Sequence, residues 1–166
     1  MSMLALLFFP LMLAIAAFSD LFTMKISNKL VLLLTVGFLV VSLVVEMPLQ
    51  QFAMHVLCAL VVLVVGFGLF ALRWIGGGDA KLAAATTLWL GFGLTLPYVV
   101  YAALFGGVLT ILFLVFRGLP MPVPAGRYAW FDRLRDRKSG IPYGVALALA
   151  GLMIYTNTGI YERLIA

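Results

Sequence analysis

The sequence predicts an all-α, polytopic integral membrane protein with about six transmembrane helices, and three observations predict it. Of 166 residues, 65% are hydrophobic, and the mean hydropathy is +1.19. Soluble domains are only about 45–50% apolar, so too little polar sequence remains to coat a water-soluble globule. Apolar runs recur along the whole chain, separated by short polar connections. Ten of the 11 basic residues fall in alternate connections. A helix satisfies its own backbone in lipid, which makes it the natural spanning element. Residues 1–166 therefore form one transmembrane domain, with a basic loop at about 117–140 and no soluble domain beside it.

The spans are expected at Met3–Phe18, Leu30–Val45, Phe52–Leu72, Leu82–Leu96, Tyr98–Phe116 and Ile141–Thr158. Several are shorter than the roughly 20 residues a crossing needs; tilt or extension into a flanking loop closes the gap. Gly91, Gly93 and Pro97 separate the fourth run from the fifth, and Pro97 is placed to begin a helix. Gly66 with Gly68, and Gly106 with Gly107, are expected to mark close helix contacts. The first run ends near a small-residue stretch that imitates a signal cleavage site, but no Lys or Arg precedes Lys25, so it reads as a span rather than a secretory signal.

Orientation follows from charge. Lys25 and Lys29 follow the first run. Arg73 and Lys81 lie between the third and fourth. Arg117, Arg127, Arg133, Arg135, Arg137 and Lys138 lie between the fifth and sixth. The positive-inside rule makes these connections cytoplasmic and puts both termini outside. Net charge of +5 thus serves topology, and no nucleic-acid partner is expected.

Composition also excludes chemistry. Cys58 and His55 are the only residues of their kinds, so a His/Cys zinc site is not expected. Gly76-Gly77-Gly78-Asp79-Ala80-Lys81 lacks the spacing of a nucleotide-binding loop. No metal and no cofactor is expected.

Two aspartates remain. Asp20 ends the first apolar run and Asp79 precedes the fourth, both on the predicted cytoplasmic side. Carboxylates at the ends of membrane helices are costly, so they mark function. Two that meet share a proton, giving one acid and one base. Such a pair can hydrolyse a peptide bond with water alone, one carboxyl taking its proton and the other donating to the carbonyl oxygen. The plainer alternative is that Asp20 and Asp79 cap helix ends or pair with Lys25 and Lys81. Asp132 and Asp136 alternate with arginines, as on a surface helix. The three glycines before Asp79 allow close backbone or substrate approach and unrestricted φ.

Ser19-Asp20, Lys25-Ile26-Ser27-Asn28, Gly76-Gly77-Gly78-Asp79-Ala80-Lys81-Leu82 and Ile141-Pro142-Tyr143-Gly144 together resemble the type IV prepilin peptidases, nearest to the short, peptidase-only branch of tight-adherence (Flp) pili. The resemblance runs from about Asp20 to Ala150. It implies an aspartic endopeptidase of the bacterial inner membrane that removes prepilin leaders at the cytoplasmic face. Asp20 and Asp79 match the catalytic aspartates. Gly77 and Gly78 match the glycines of Gly-x-Gly-Asp. Gly76, Lys25, Asn28, Lys81, Pro142 and Gly144 are expected to shape the site or touch substrate. Implied partners are prepilins and pseudopilins, the bilayer and the pilus assembly machinery. Ser27 stands where the family often has proline, which predicts a looser loop. The lone cysteine departs from the larger members that also methylate pilin, so methylation is not expected. The competing classes are a non-enzymatic transporter or assembly subunit, and a presenilin-like intramembrane protease, whose first aspartate follows tyrosine rather than Ser19.

Overall fold

The computed structural model describes residues 2–118, 129–136 and 139–165, and every element among them is helical. Helix α1 (Ser2–Thr23) is followed by α2 (Asn28–Val44), α3 (Leu49–Ala71), α4 (Gly77–Leu90) and α5 (Phe92–Gly118). A short α6 (Ala129–Arg135) precedes α7 (Tyr143–Tyr155) and α8 (Gly159–Ile165). Arg127, Arg137 and Lys138 of the expected basic loop lie outside the described residues.

The helix-rich membrane architecture agrees with expectation, but about six crossings is not confirmed. Three helices are long and apolar enough to cross: Met3–Thr23, Leu49–Ala71 and Phe92–Gly118. A fourth arises if α7 and α8, bent by 54°, count as one span. Helix α2 has 17 residues and α4 only 14. At 1.5 Å per residue α4 is about 21 Å long, short of a hydrocarbon core of about 30 Å.

The boundary after α4 also differs from expectation. Gly91 takes φ +71° and ψ 177°, a conformation only glycine enters freely, and the helix stops there. Pro97 lies inside α5 rather than at its start.

Helix α4 is the buried centre. Ala80, Leu82 and every residue from Ala84 to Leu90 are buried, as expected of a helix apolar on all sides. It packs on α3, α2 and α7, while α7 also packs on α1 and α5. Trp89 anchors the core. Its indole donates to Leu34 O at 3.0 Å, and its ring lies 4.9 Å from Phe9 and 5.9 Å from Phe38. Burying such rings contributes most of the apolar packing, while the N–H needs its acceptor.

Small residues let these helices approach, though only half of the expected glycines do so. A Cβ on Gly66 would stand 3.0 Å from Ala80 Cβ, and one on Gly106 would stand 2.5 Å from the Tyr143 ring. Nothing lies within 4 Å of that position at Gly68 or Gly107.

Candidate active site

The α1–α2, α3–α4 and α5–α7 connections meet at one end of the bundle and enclose a cleft of about 1090 Å³. Asp20, Lys25, Arg73, Gly76, Gly77, Gly78, Asp79, Arg117 and Tyr143 line it. Residues 20 and 79 are thus 59 positions apart in sequence but share one cavity.

Asp20 lies in the last turn of α1 and is only 5% exposed. Its Oδ2 accepts the Gly144 N–H at 2.7 Å. Gly144 is in the first turn of α7, where backbone N–H groups have no helical partner. The site therefore uses a helix N-terminus to hold a carboxylate. Only a residue without a side chain fits: a Cβ on Gly144 would lie 2.8 Å from Asp20 Oδ2 and 2.8 Å from Ile26 Cδ1.

Asp79 occupies the third position of α4, outside the candidate spans. Its Oδ2 accepts the Gly76 N–H at 3.2 Å, the return arm of a capping box. Burial first, and the Asp20 charge second, push its carboxyl up to about 6, against the lowering effect of the Gly76 N–H. The plainer alternative is met in part, since Asp79 does cap its helix. No hydrogen bond or ion pair joins Lys25 or Lys81 to either aspartate among the described residues; Lys81 Nζ instead donates to Asn28 Oδ1 at 3.0 Å.

The glycine triad works through close approach and not through unusual φ. Gly76 has φ −74°, and Gly91 is the one positive-φ glycine among the described residues. A Cβ on Gly76 would meet Asp79 Oδ2 at 2.8 Å. On Gly77 it would meet Phe70 at 3.3 Å, and on Gly78 it would meet Ile26 at 3.3 Å.

Of the other sequence-predicted residues, Lys25 lines the cleft, whereas Lys81 and Asn28 tie α4 to α2 outside its lining. Pro142 is buried and caps the N-terminus of α7. Ser27 stands where the family often has proline and keeps a proline-like backbone. It holds φ −73°, within proline's own range, and its Oγ accepts Leu30 N–H at 3.2 Å.

Arg73, Trp74 and Arg117 line the cleft but were not singled out by sequence. Their signal was their place at the ends of basic connections, which topology absorbed. Arg117 is held in place, donating from Nε to Leu134 O at 2.8 Å and from Nη2 to Gly140 O at 2.9 Å. Helix α6 fastens the same end: Arg133 Nη1 donates to Thr23 O at 3.1 Å, and Trp130 packs edge-on against Phe22 at 5.2 Å.

Chemically, the cleft can present two carboxyls to one substrate group. In each, Oδ2 is engaged by a backbone N–H. No group of three or more His, Cys, Asp or Glu residues that could hold a metal occurs among the described residues.

The profile of the type IV leader peptidase family matches residues 7–111. That interval contains Asp20 and the Gly76–Asp79 block and stops before Ile141-Pro142-Tyr143-Gly144. No curated protein and no solved structure matches the chain.

Proposed function

The chain belongs to the type IV leader peptidase family, and from that premise we propose that it is an aspartic endopeptidase whose two carboxyls are Asp20 and Asp79. The observation that carries this is their presence in one cleft, each held by a backbone N–H rather than by a cation. One carboxylate takes a proton from water as the water oxygen attacks the peptide carbonyl carbon. The other carboxyl donates to the carbonyl oxygen. The tetrahedral gem-diol then collapses: the carboxyl that took the water proton passes it to the nitrogen as the C–N bond breaks, and a gem-diol hydroxyl returns its proton to the other, ionised carboxylate. The pair ends with the single proton it began with. The pair titrates as a unit, so the acid and base roles belong to the dyad.

The proposed substrates are prepilins and pseudopilins of the Flp type. A short basic leader would lie in the cytoplasm and the adjoining apolar helix in the inner membrane, which puts the cut at the depth of the cleft. Six crossings, with both termini periplasmic, fit this placement. The three connections at the cleft carry the basic residues that the positive-inside rule assigns to the cytoplasm. Helix positioning supplies effective concentration. A glycine before the cut lets the backbone pass between the carboxyls.

The test is co-expression with a Flp-type prepilin. Asp20→Asn and Asp79→Asn should each insert normally and slow leader removal by roughly 10²–10⁴-fold, the usual scale of lost acid–base catalysis. Wild-type cleavage by either variant would remove the dyad and favour a non-enzymatic assembly subunit.

A further inference from the structure

Two cations at the cleft mouth lack a partner that the proposed reaction explains. The Lys25 ammonium and the Arg73 guanidinium are exposed and make no hydrogen bond or ion pair among the described residues. Arg117, the third cation of the lining, is committed to Leu134 O and Gly140 O. With one proton shared between Asp20 and Asp79, the lining is net positive. A basic leader entering this mouth would be repelled unless something anionic sits there first.

The backbone singles out one of the two cations directly. Arg73 has φ +62° and Met24, the residue before Lys25, has φ +54°, each just past a helix end. Glycine is the usual occupant of that position. At Arg73 the turn is completed by Arg73 N–H to Phe70 O at 2.9 Å and Trp74 N–H to Leu69 O at 3.0 Å. A long charged side chain is thus held where a glycine would cost less.

The surroundings are those of an amphiphile. Arg73 and Trp74 directly follow α3, a candidate span of 23 residues. Trp74 is 75% exposed, and Phe67, Phe70 and Leu72 are exposed beside it. Tryptophan with Arg or Lys is the composition that settles at the headgroup level, and cations there attract anionic lipid.

The geometry points to Lys25 and Arg73 as a binding site for the phosphate of an anionic phospholipid, whose acyl chains run along the exposed apolar end of α3. The bound phosphate neutralises both cations and gives the mouth a negative charge for a basic leader. The role toward the leader rests on the peptidase reading; the lipid site itself does not. Lipid binding is therefore measured in the Asp79→Asn protein, where cleavage plays no part.

The experiment uses bilayer nanodiscs of phosphatidylcholine doped with chain-brominated phosphatidylglycerol or chain-brominated phosphatidylcholine. The signal is the tryptophan quenching lost on Trp74→Phe. Expected is half-maximal quenching at about tenfold lower mole fraction for the glycerol lipid. The preference should vanish in Lys25→Gln/Arg73→Gln and persist in millimolar inorganic phosphate. Equal curves for the two lipids, or a preference retained by the double variant, would overturn the site. Loss of the preference in inorganic phosphate would assign it to free phosphate instead. In active protein the glycerol lipid should lower KM for a prepilin with little change in kcat. If lipid has no effect, and replacing an acidic substrate residue by its amide raises KM only when Lys25 and Arg73 are present, the cations read substrate and the lipid assignment fails.

Discussion

The two ends of the bundle handle polar groups in opposite ways. At the end remote from the cleft, several polar side chains find each other or the backbone. His55 Nδ1 lies 2.8 Å from Leu88 O. Arg163 Nη2 donates to Gln51 Oε1 at 2.9 Å, and Cys58 Sγ lies 3.0 Å from Thr95 Oγ1. A cavity of about 400 Å³ there is lined by Gln50, Gln51, His55 and Gly91. At the cleft end, two carboxyls share a cavity with three cations and pair with none of them. Apposed acids and unspent cations stabilise nothing by themselves, so that end is arranged for something other than folding. Carboxyls and cations left unpaired in one cavity are the usual mark of a functional site, although Thr86 Oγ1 and Tyr98 Oη are also buried without a hydrogen-bond partner outside it.

Paired glycine substitutions probe this contrast most strongly. Gly144→Ala puts a Cβ 2.8 Å from Asp20 Oδ2, so the carboxylate must move. Leader cleavage by the folded fraction should fall by about 10²-fold, the scale of a 1 Å misplacement, beyond the roughly 1–3 kcal/mol of stability that such overpacking costs. Gly91→Ala, at the other end, forces alanine to φ +71° and places its Cβ 3.0 Å from the His55 ring. That should cost roughly 1–3 kcal/mol of stability and leave kcat of the folded fraction unchanged. Equal activity losses for the two variants would erase the distinction between the ends.

A smaller effect separates function from stability at Asp79. Its folded carboxyl titrates near 6, against 3.8 ordinarily. Between those values the folded protein binds more protons than the unfolded one, so stability falls as pH rises through the window. The penalty is complete above about pH 6. Asp79→Asn removes it and should be more stable than wild type by about 1–2 kcal/mol at pH 8, after discounting for solvent screening. At pH 4 the two should converge. Thermal unfolding in mild detergent at both pH values checks this, and no gain at pH 8 would mean that Asp79 is an ordinary capping residue.

The smallest effect is expected at Ser27. Ser27→Pro loses the Leu30 cap but keeps φ near −73°, and restricting the unfolded chain offsets the loss to within about 0.5 kcal/mol. Ser27→Ala loses the cap with no offset and should cost about 1 kcal/mol. The comparison of their melting temperatures tests whether the serine does here what the family's proline does elsewhere.

The sequence by itself determined the helical membrane class, the family and the two aspartates to watch. Each rests on a local property: apolar runs long enough to be read singly, and a contiguous glycine–aspartate block. It also indicated alternation, because charge in a connection is counted without knowing where that connection packs. Tertiary structure decided what needs distant segments together. Gly144 reads in sequence as part of a site-shaping motif without a chemical role; in the fold it is the N–H that holds Asp20, 124 residues away. Lys81 reads as a residue that shapes the site; the fold shows that it does so from outside the cleft lining, by reaching Asn28. The fourth run reads as continuing to Leu96, with Pro97 opening the next helix; backbone geometry breaks the chain at Gly91 instead. Arg73 is one more basic loop residue until the turn after α3 places it in the lining of the cleft that also holds Asp79. Hydropathy and motifs are sums over neighbours along the chain, whereas a site is made of distances between helices, and those are set by which side chains are small enough to let the helices close.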